Sequence, residues 1–296
     1  MIKKSLIFIP AVFAAVTLAF SGIFIWQAFS SEHLEYSVPF VGYGGTFAYY
    51  KPHAFGIPIY FFMMILGFCG AIAISLIRRK SFSLTAVKSI IIATGFLMTS
   101  YAGAKLLYTL EMIISAQSVT FSLDGLSLYG AIFLDAAIIP LGAKLLKIPS
   151  HRLYDFVAPL GLILLAAVRI GCFFNGCCGA LTFWSGDKPI VLPVQLFEAA
   201  LDFVLLAVLL AIEARADKNS PQKPDKKSER KNCFLYPILM IVYAFYRFLL
   251  EFIRSTDKNI IVFSNGQIYS ILSFAVGISI IVLNRNKSNI SKNKTI

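Results

Sequence analysis

Apolar residues fall in eight blocks, each close to the length that crosses a bilayer as a helix. They run Leu6 to Trp26, Ile57 to Ile77, Ser89 to Ile114, Leu126 to Leu146, Tyr154 to Phe174, Val194 to Ile212, Cys233 to Phe252 and Gln267 to Leu283. The pattern predicts an all-α polytopic membrane protein: a seven-helix core preceded by one extra N-terminal helix. Lys3 and Lys4 precede the first block, which exceeds the usual length of a signal-peptide core and reads as a retained helix; Ala28-Phe29-Ser30 would also serve as a cleavage site. The polar stretches set the remaining boundaries. Residues 1–30 form the helix or signal segment, 31–56 an external segment rich in Tyr and Gly, and 57–284 the core. Within the core, 213–232 is a hydrophilic linker with Pro221 and Pro224. Residues 285–296 read as a basic, disordered tail.

Composition agrees. Of 296 residues, 58% are hydrophobic and 14% charged, with a mean hydropathy of +0.76; soluble domains are not this apolar. The net charge of +12 raises the question of nucleic acid. Its distribution answers no, because the basic residues sit in short clusters between apolar blocks. With the N-terminus in the cytoplasm, twenty of the 27 lysines and arginines fall in inside segments and only Lys51, Lys188, Arg254 and Lys258 in outside ones. The C-terminus is then cytoplasmic as well.

That orientation assigns depth to the polar residues inside the blocks. Arg169 lies about 22 Å above the inner end of its span, and Arg247 about 21 Å above the start of its own. Lys105 reaches a similar level. Tyr60, Tyr129, Gln195, Glu198 and Gln267 begin inward-running spans and so lie near the outer face. Tyr243, Arg247 and Glu251 share a helix face at i, i+4 and i+8, as do Gln195, Glu198 and Asp202 at i, i+3 and i+7. Such stripes hold helices together as readily as they bind a ligand. For the arginine pair a ligand is the better reading, because two cations need an anion and a lipid phosphate is the nearest one.

The stretch Arg169-Ile-Gly-Cys-Phe-Phe-Asn-Gly-Cys-Cys-Gly179 ends the fifth block. Gly171, Gly176 and Gly179 allow close backbone approach, and Asn175 both donates and accepts hydrogen bonds. The same residues also describe a helix end with a snorkelling arginine and a glycine cap. The cysteines are Cys69, Cys172, Cys177, Cys178 and Cys233. Their odd number and the lack of a C-x-x-C pair argue against a disulfide framework. No histidine stands near them with zinc spacing, so no metal site and no cofactor is expected. Cys172, Cys177 and Cys178 read as supporting residues.

These residues carry a family resemblance. Arg169-Ile-Gly-Cys-Phe-Phe-Asn-Gly176 resembles the signature segment of the prolipoprotein diacylglyceryl transferases. Ile59-Tyr60 with Leu66-Gly67, Gly103-Ala-Lys-Leu106 with Tyr108, Gly125-Leu-Ser127 with Gly130, and Asp155 with Ala158-Pro159 resemble its earlier motifs in order. Pro193-Val-Gln-Leu-Phe-Glu-Ala199, Tyr243, Tyr246-Arg247-Phe248, Glu251-Phe252, Arg254 and Gly266-Gln267 resemble the later ones. The resemblance covers Gly56 to Leu283 and implies an enzyme of the bacterial cytoplasmic membrane. That enzyme moves the diacylglyceryl group of phosphatidylglycerol to the thiol of a lipobox cysteine in a lipoprotein precursor, releasing glycerol 1-phosphate. It implies catalytic roles for Arg169, Arg247 and Tyr129. It implies substrate-binding roles for Tyr60, Lys105, Asn175, Gln195, Glu198, Tyr243, Glu251 and Gln267. Three positions depart from the family pattern: Tyr129 stands where the family has histidine, Lys105 where it has arginine, and Val168 where it has glycine.

Other readings of the chain are a divergent transferase with another acceptor or lipid, a non-catalytic lipid binder or transporter on the same fold, and a membrane thiol oxidoreductase built on Cys172, Cys177 and Cys178. The last is weakened by the missing C-x-x-C.

Overall fold

The protein is described by a computed structural model covering residues 7–19, 53–54, 56–115, 125–175, 181–185, 188–192, 194–218, 234–254 and 263–293. Helix α1 covers Ile7–Ala19. Short strands β1 (His53–Ala54) and β2 (Ile57–Pro58) precede α2 (Ile59–Arg78), and α3 (Ala86–Ile114), α4 (Leu128–Leu146) and α5 (Ser150–Asn175) follow. A hairpin of β3 (Leu181–Ser185) and β4 (Lys188–Leu192) leads into α6 (Val194–Lys218), α7 (Leu235–Glu251) and α8 (Asn265–Asn293). Among the described residues six helices are long and apolar enough to cross a membrane, α2 to α6 and the Asn265–Leu283 part of α8. The chain is an all-α polytopic membrane protein, and two of the eight expected spans, the first and the seventh, fall short of that length among the described residues. Helix α1 has Ile7–Ala19 within the expected Leu6 to Trp26, the remainder lying outside the described residues.

Helix ends differ from the sequence reading for local reasons. Helix α7 has 17 residues, starting after Cys233 because Asp155 Oδ1 accepts the N–H of Leu235 at 2.7 Å and so fixes the first turn. Helix α6 continues past Ile212 to Lys218 through Glu-Ala-Arg-Ala-Asp-Lys, good helix formers in the main. Helix α8 runs to Asn293, so the tail expected to be disordered is helical up to there. No glycine or proline follows Gly277 to stop it, and extending a formed helix is easy.

The chain divides into two compact units. The first comprises Met1–Ala71, Gly161–Arg215 and Phe245–Ile268. Within it α2 meets α5 through small residues: a Cβ on Gly67 would lie 2.9 Å from Ala167 Cβ, and one on Gly171 would lie 3.2 Å from Tyr60 Cα. Phe173 and Leu196 are buried with Ile170 and Phe174 packed on them. Phe13 of α1 stacks on Phe203 of α6 at 5.5 Å.

The second unit comprises Ile72–Leu160, Ala216–Ala244 and Tyr269–Ile296. Here α3 crosses α4 at bare backbone. A Cβ on Gly103 would stand 2.4 Å from Gly130 O, and one on Gly130 would stand 2.1 Å from Gly103 O, which is the close approach that small residues permit. Inside α5, Pro159 cannot donate to the carbonyl of Asp155 and its ring crowds that turn. The Arg78 guanidinium supplies the missing donor, bonding Asp155 O at 2.8 Å, and adds a bond to Phe156 O at 2.6 Å. Asp135, buried in α4, accepts from Thr99 and Ser100 at 2.6 Å each. Polar groups at membrane depth have to be satisfied by the protein itself, and these are.

Candidate functional site

The first unit gathers the charges. Arg169, near the end of α5, places Nη2 2.9 Å from Oε1 of Glu198 on α6. Arg247 of α7 places Nε 3.7 Å from that same oxygen. Glu198 is 1% exposed, and both guanidiniums are buried beside it. One carboxylate thus holds two arginines, from helices far apart in sequence, side by side. Two like charges around one oxygen would otherwise repel strongly in so poorly screened a place.

A second carboxylate fixes the other side of Arg247. Glu251, one turn on, pairs with Arg247 Nη1 and lies 3.7 Å from Arg254 Nη1. Ser264 Oγ donates to Glu251 Oε1 at 3.0 Å. The carboxylate rests on Gly266, where an added Cβ would stand 2.9 Å from Glu251 Cδ. Gln267 is held by a reciprocal cap: its N–H donates to Ser264 Oγ at 3.2 Å, and its Oε1 accepts the N–H of Ser264 at 3.1 Å. This is the Ser-x-x-Gln capping box at the start of α8. Gln267 therefore anchors the helix end that carries Ser264 to Glu251.

Asp202, one turn beyond Glu198 on α6, is fully buried and accepts a short hydrogen bond from Tyr246, the residue before Arg247. Gln195 is buried at the start of α6. Tyr60 is half-buried, with its backbone against Gly171 and its ring edge-on to Phe61. Asn175 is the last, half-buried residue of α5. Cys172 is buried and Cys69 exposed; Gly176, Cys177, Cys178, Gly179 and Cys233 lie outside the described residues.

The second unit holds the remaining candidates. Tyr129 is 4% exposed, its hydroxyl 2.5 Å from Ser270 Oγ. Its ring packs against those of Phe133, Tyr243 and Tyr269. Glu111 of α3 accepts from Ser127 Oγ at 3.3 Å and is hydrogen-bonded to Tyr269. Lys105 Nζ sits 5.4 Å from the Tyr108 ring centre. Gly125, at φ +71°, allows the Tyr108 ring to lie flush on the turn before α4, where any Cβ would meet Tyr108 Cε1 at 2.2 Å. Among the described residues no group of three or more His, Cys, Asp or Glu is placed to hold a metal ion.

The sequence did not single out Ser264 or Glu111, and it offered Tyr246, Arg254 and Gly266 only as parts of family-like motifs, with no role of their own. The capping box was visible as Ser264-x-x-Gln267, and Arg254 is one turn beyond Glu251. Nothing in the sequence showed that Glu198 would face both arginines, since spacing along a chain does not say which helices are neighbours.

Comparison with known proteins bears on this arrangement. A family model described as prolipoprotein diacylglyceryl transferase matches residues 49–283. A phosphatidylglycerol–prolipoprotein diacylglyceryl transferase of Clostridium tetani is 25% identical over 250 residues, covering 78% of this chain and 95% of its own. Proteins of the same name from Pseudomonas aeruginosa and Geobacter sulfurreducens are 28% and 29% identical, covering 71% and 76% of this chain and 79% and 89% of theirs. The match runs through every helix that carries the charged cluster. The chain belongs to the prolipoprotein diacylglyceryl transferase family and is a transferase of the bacterial cytoplasmic membrane.

Proposed function

We propose that this protein transfers the diacylglyceryl group of phosphatidylglycerol to the cysteine thiol of a lipobox in lipoprotein precursors. The observation that carries the reading is the convergence of Arg169 and Arg247 on one oxygen of Glu198. Two planar forks held that close can close together on a single phosphodiester, which binds guanidinium in the same bidentate way as a carboxylate. In the reaction the acceptor thiol gives its proton up to solvent, and the resulting thiolate attacks the glyceryl carbon to form a thioether. The carbon–oxygen bond to phosphate breaks, and glycerol 1-phosphate leaves with a developing charge that the arginines stabilise. Glu198 keeps the pair together when no lipid is bound, and Glu251, on Gly266 and Ser264, sets the tilt of Arg247. Gln195, Gln267, Tyr60 and Asn175 belong to the lipid-binding surroundings of the same unit; Lys105 and Tyr243 are assigned substrate-binding roles and Tyr129 a catalytic one.

In the same reading the N- and C-termini and the 213–232 linker are cytoplasmic, and the charged cluster faces the outer side, where secreted precursors emerge. Residues 57–284 form the transferase core, with 1–30 and 285–296 as additions to it.

One observation favours a second reading. Tyr129, at the family's histidine position, is buried and bonded to Ser270, and a phenol is a poor base at neutral pH. A relative using a different acceptor would suit that substitution. Expression in a bacterium depleted of its own diacylglyceryl transferase separates the two. The proposed activity restores growth and lipid-modified precursors. A protein well expressed in the membrane that restores neither supports another acceptor.

A further inference from the structure

The hairpin between α5 and α6 has no part in the chemistry described so far. β3 and β4 pair antiparallel, with Leu181 opposite Leu192, Thr182 opposite Val191, Phe183 opposite Ile190, Trp184 opposite Pro189 and Ser185 opposite Lys188. Two residues join the strands, so Ser185 and Lys188 are the pair that exchanges both backbone hydrogen bonds, and alternate pairs repeat it. The intervening pairs, Thr182 with Val191 and Trp184 with Pro189, turn their backbone groups to the two outer edges. Pro189 agrees with this phase, since it has no N–H to give the ladder.

The two edges are unequal. On β4 the outer edge loses a donor at Pro189 and begins with Lys188, the two devices that discourage further pairing. β3, Leu-Thr-Phe-Trp-Ser, has neither proline nor charge. No third strand pairs with it among the described residues. A lone two-stranded hairpin is marginal, and an apolar strand with an open edge is a template for an extended chain.

We propose that the β3 edge receives the acceptor polypeptide as a third strand, an extended, uncharged, apolar stretch leading to the reactive cysteine. The backbone groups of Thr182 and Trp184 bond it. This rests on the proposed function, in which a polypeptide thiol has to be brought to the helices that carry Arg169 and Glu198. The hairpin occupies the connection between those helices, following Asn175 at the end of α5 and leading to Val194 at the start of α6. Main-chain pairing reads an extended conformation and leaves side-chain requirements loose.

Two matched substitutions in full-length protein test it. Thr182→Pro removes an outward N–H from the β3 edge. Val191→Pro removes its counterpart on the same cross-strand pair from the β4 edge. Neither position donates within the ladder, so the hairpin survives both. The probe is a fluorescent peptide with an apolar stretch ending in cysteine, titrated into each purified variant, with phosphatidylglycerol-dependent turnover followed in the same samples. Thr182→Pro weakens peptide binding about tenfold or more, the loss of one main-chain bond and the stranding of its acceptor. Val191→Pro leaves it within about twofold. Wild-type affinity in Thr182→Pro, equal losses in both variants, or no peptide binding by the unaltered protein overturns the proposal. Binding in the expected pattern without turnover upholds the strand docking and counts against the transferase reading instead.

Discussion

A glutamate shared by two arginines is expensive to bury, and Glu198 is buried with both. Removing its charge leaves two buried guanidiniums without the carboxylate they share. Glu198→Gln should therefore cost roughly 3–5 kcal/mol of stability, read as a lowered unfolding midpoint in detergent; an unchanged midpoint would mean that something other than Glu198 neutralises the pair. Gly266→Ala acts from the other side. Its Cβ would stand 2.9 Å from Glu251 Cδ, so Glu251 has to move and Arg247 with it. We expect turnover to fall well below that of the parent while the midpoint changes little. Equal loss of both would make Gly266 a folding residue only. At this scale the sequence was informative about charge and poor about partners. Arg169 and Arg247 stand out because cations are rare within apolar blocks. Glu251 follows from its i+4 spacing. The Tyr246–Asp202 bond joins two helices, and neither residue's local pattern names the other.

Among the elements, the glycine motifs turn out to be packing devices. Gly103 and Gly130 let two helix backbones touch, so Gly103→Ala should destabilise the protein by about 1–3 kcal/mol through forced separation of α3 from α4. Gly95 on the same helix has nothing within 4 Å of an added Cβ, and Gly95→Ala should be neutral or gain up to about 1 kcal/mol. Similar midpoints for the two variants would contradict the crossing. Pro159 and Arg78 form a comparable pair. Arg78→Ala strands the carbonyl of Asp155; Pro159→Ala returns an N–H to it. The Arg78→Ala loss should then be smaller in a Pro159→Ala background, and simple additivity of the two would refute the link. Six of the eight expected spans were legible from apolar length alone. The β3–β4 hairpin was not, because five-residue strands with apolar residues on both faces show little alternation. Nor was the start of α7, which is set by Asp155 reaching across from another helix.

For the whole molecule, family and architecture agree with the expectation from apolar blocks and ordered motifs, the family match spanning residues 49–283. What the blocks could not give was the division into two compact units, each made of chain segments distant in sequence, since that depends on which helix faces meet. The sidedness we propose rests on the basic residues. A reporter inserted between residues 219 and 232 should read cytoplasmic and one at 186–187 external; the reverse would put the charged cluster on the wrong side for secreted precursors. The central claim, that Arg169 and Arg247 together hold the lipid phosphate and stabilise its departure, is tested most directly by one assay. It is phosphatidylglycerol-dependent labelling of a lipobox peptide by the purified parent, Arg169→Lys, Arg247→Lys and the double variant, at matched amounts. Lysine keeps the charge without the planar fork, so each single variant should lose most turnover while still folding. The double variant should fall less than the product of the single losses, because both side chains serve one phosphate. Parent-level turnover in either single variant, or strictly multiplicative losses in the double, would contradict a shared phosphate site.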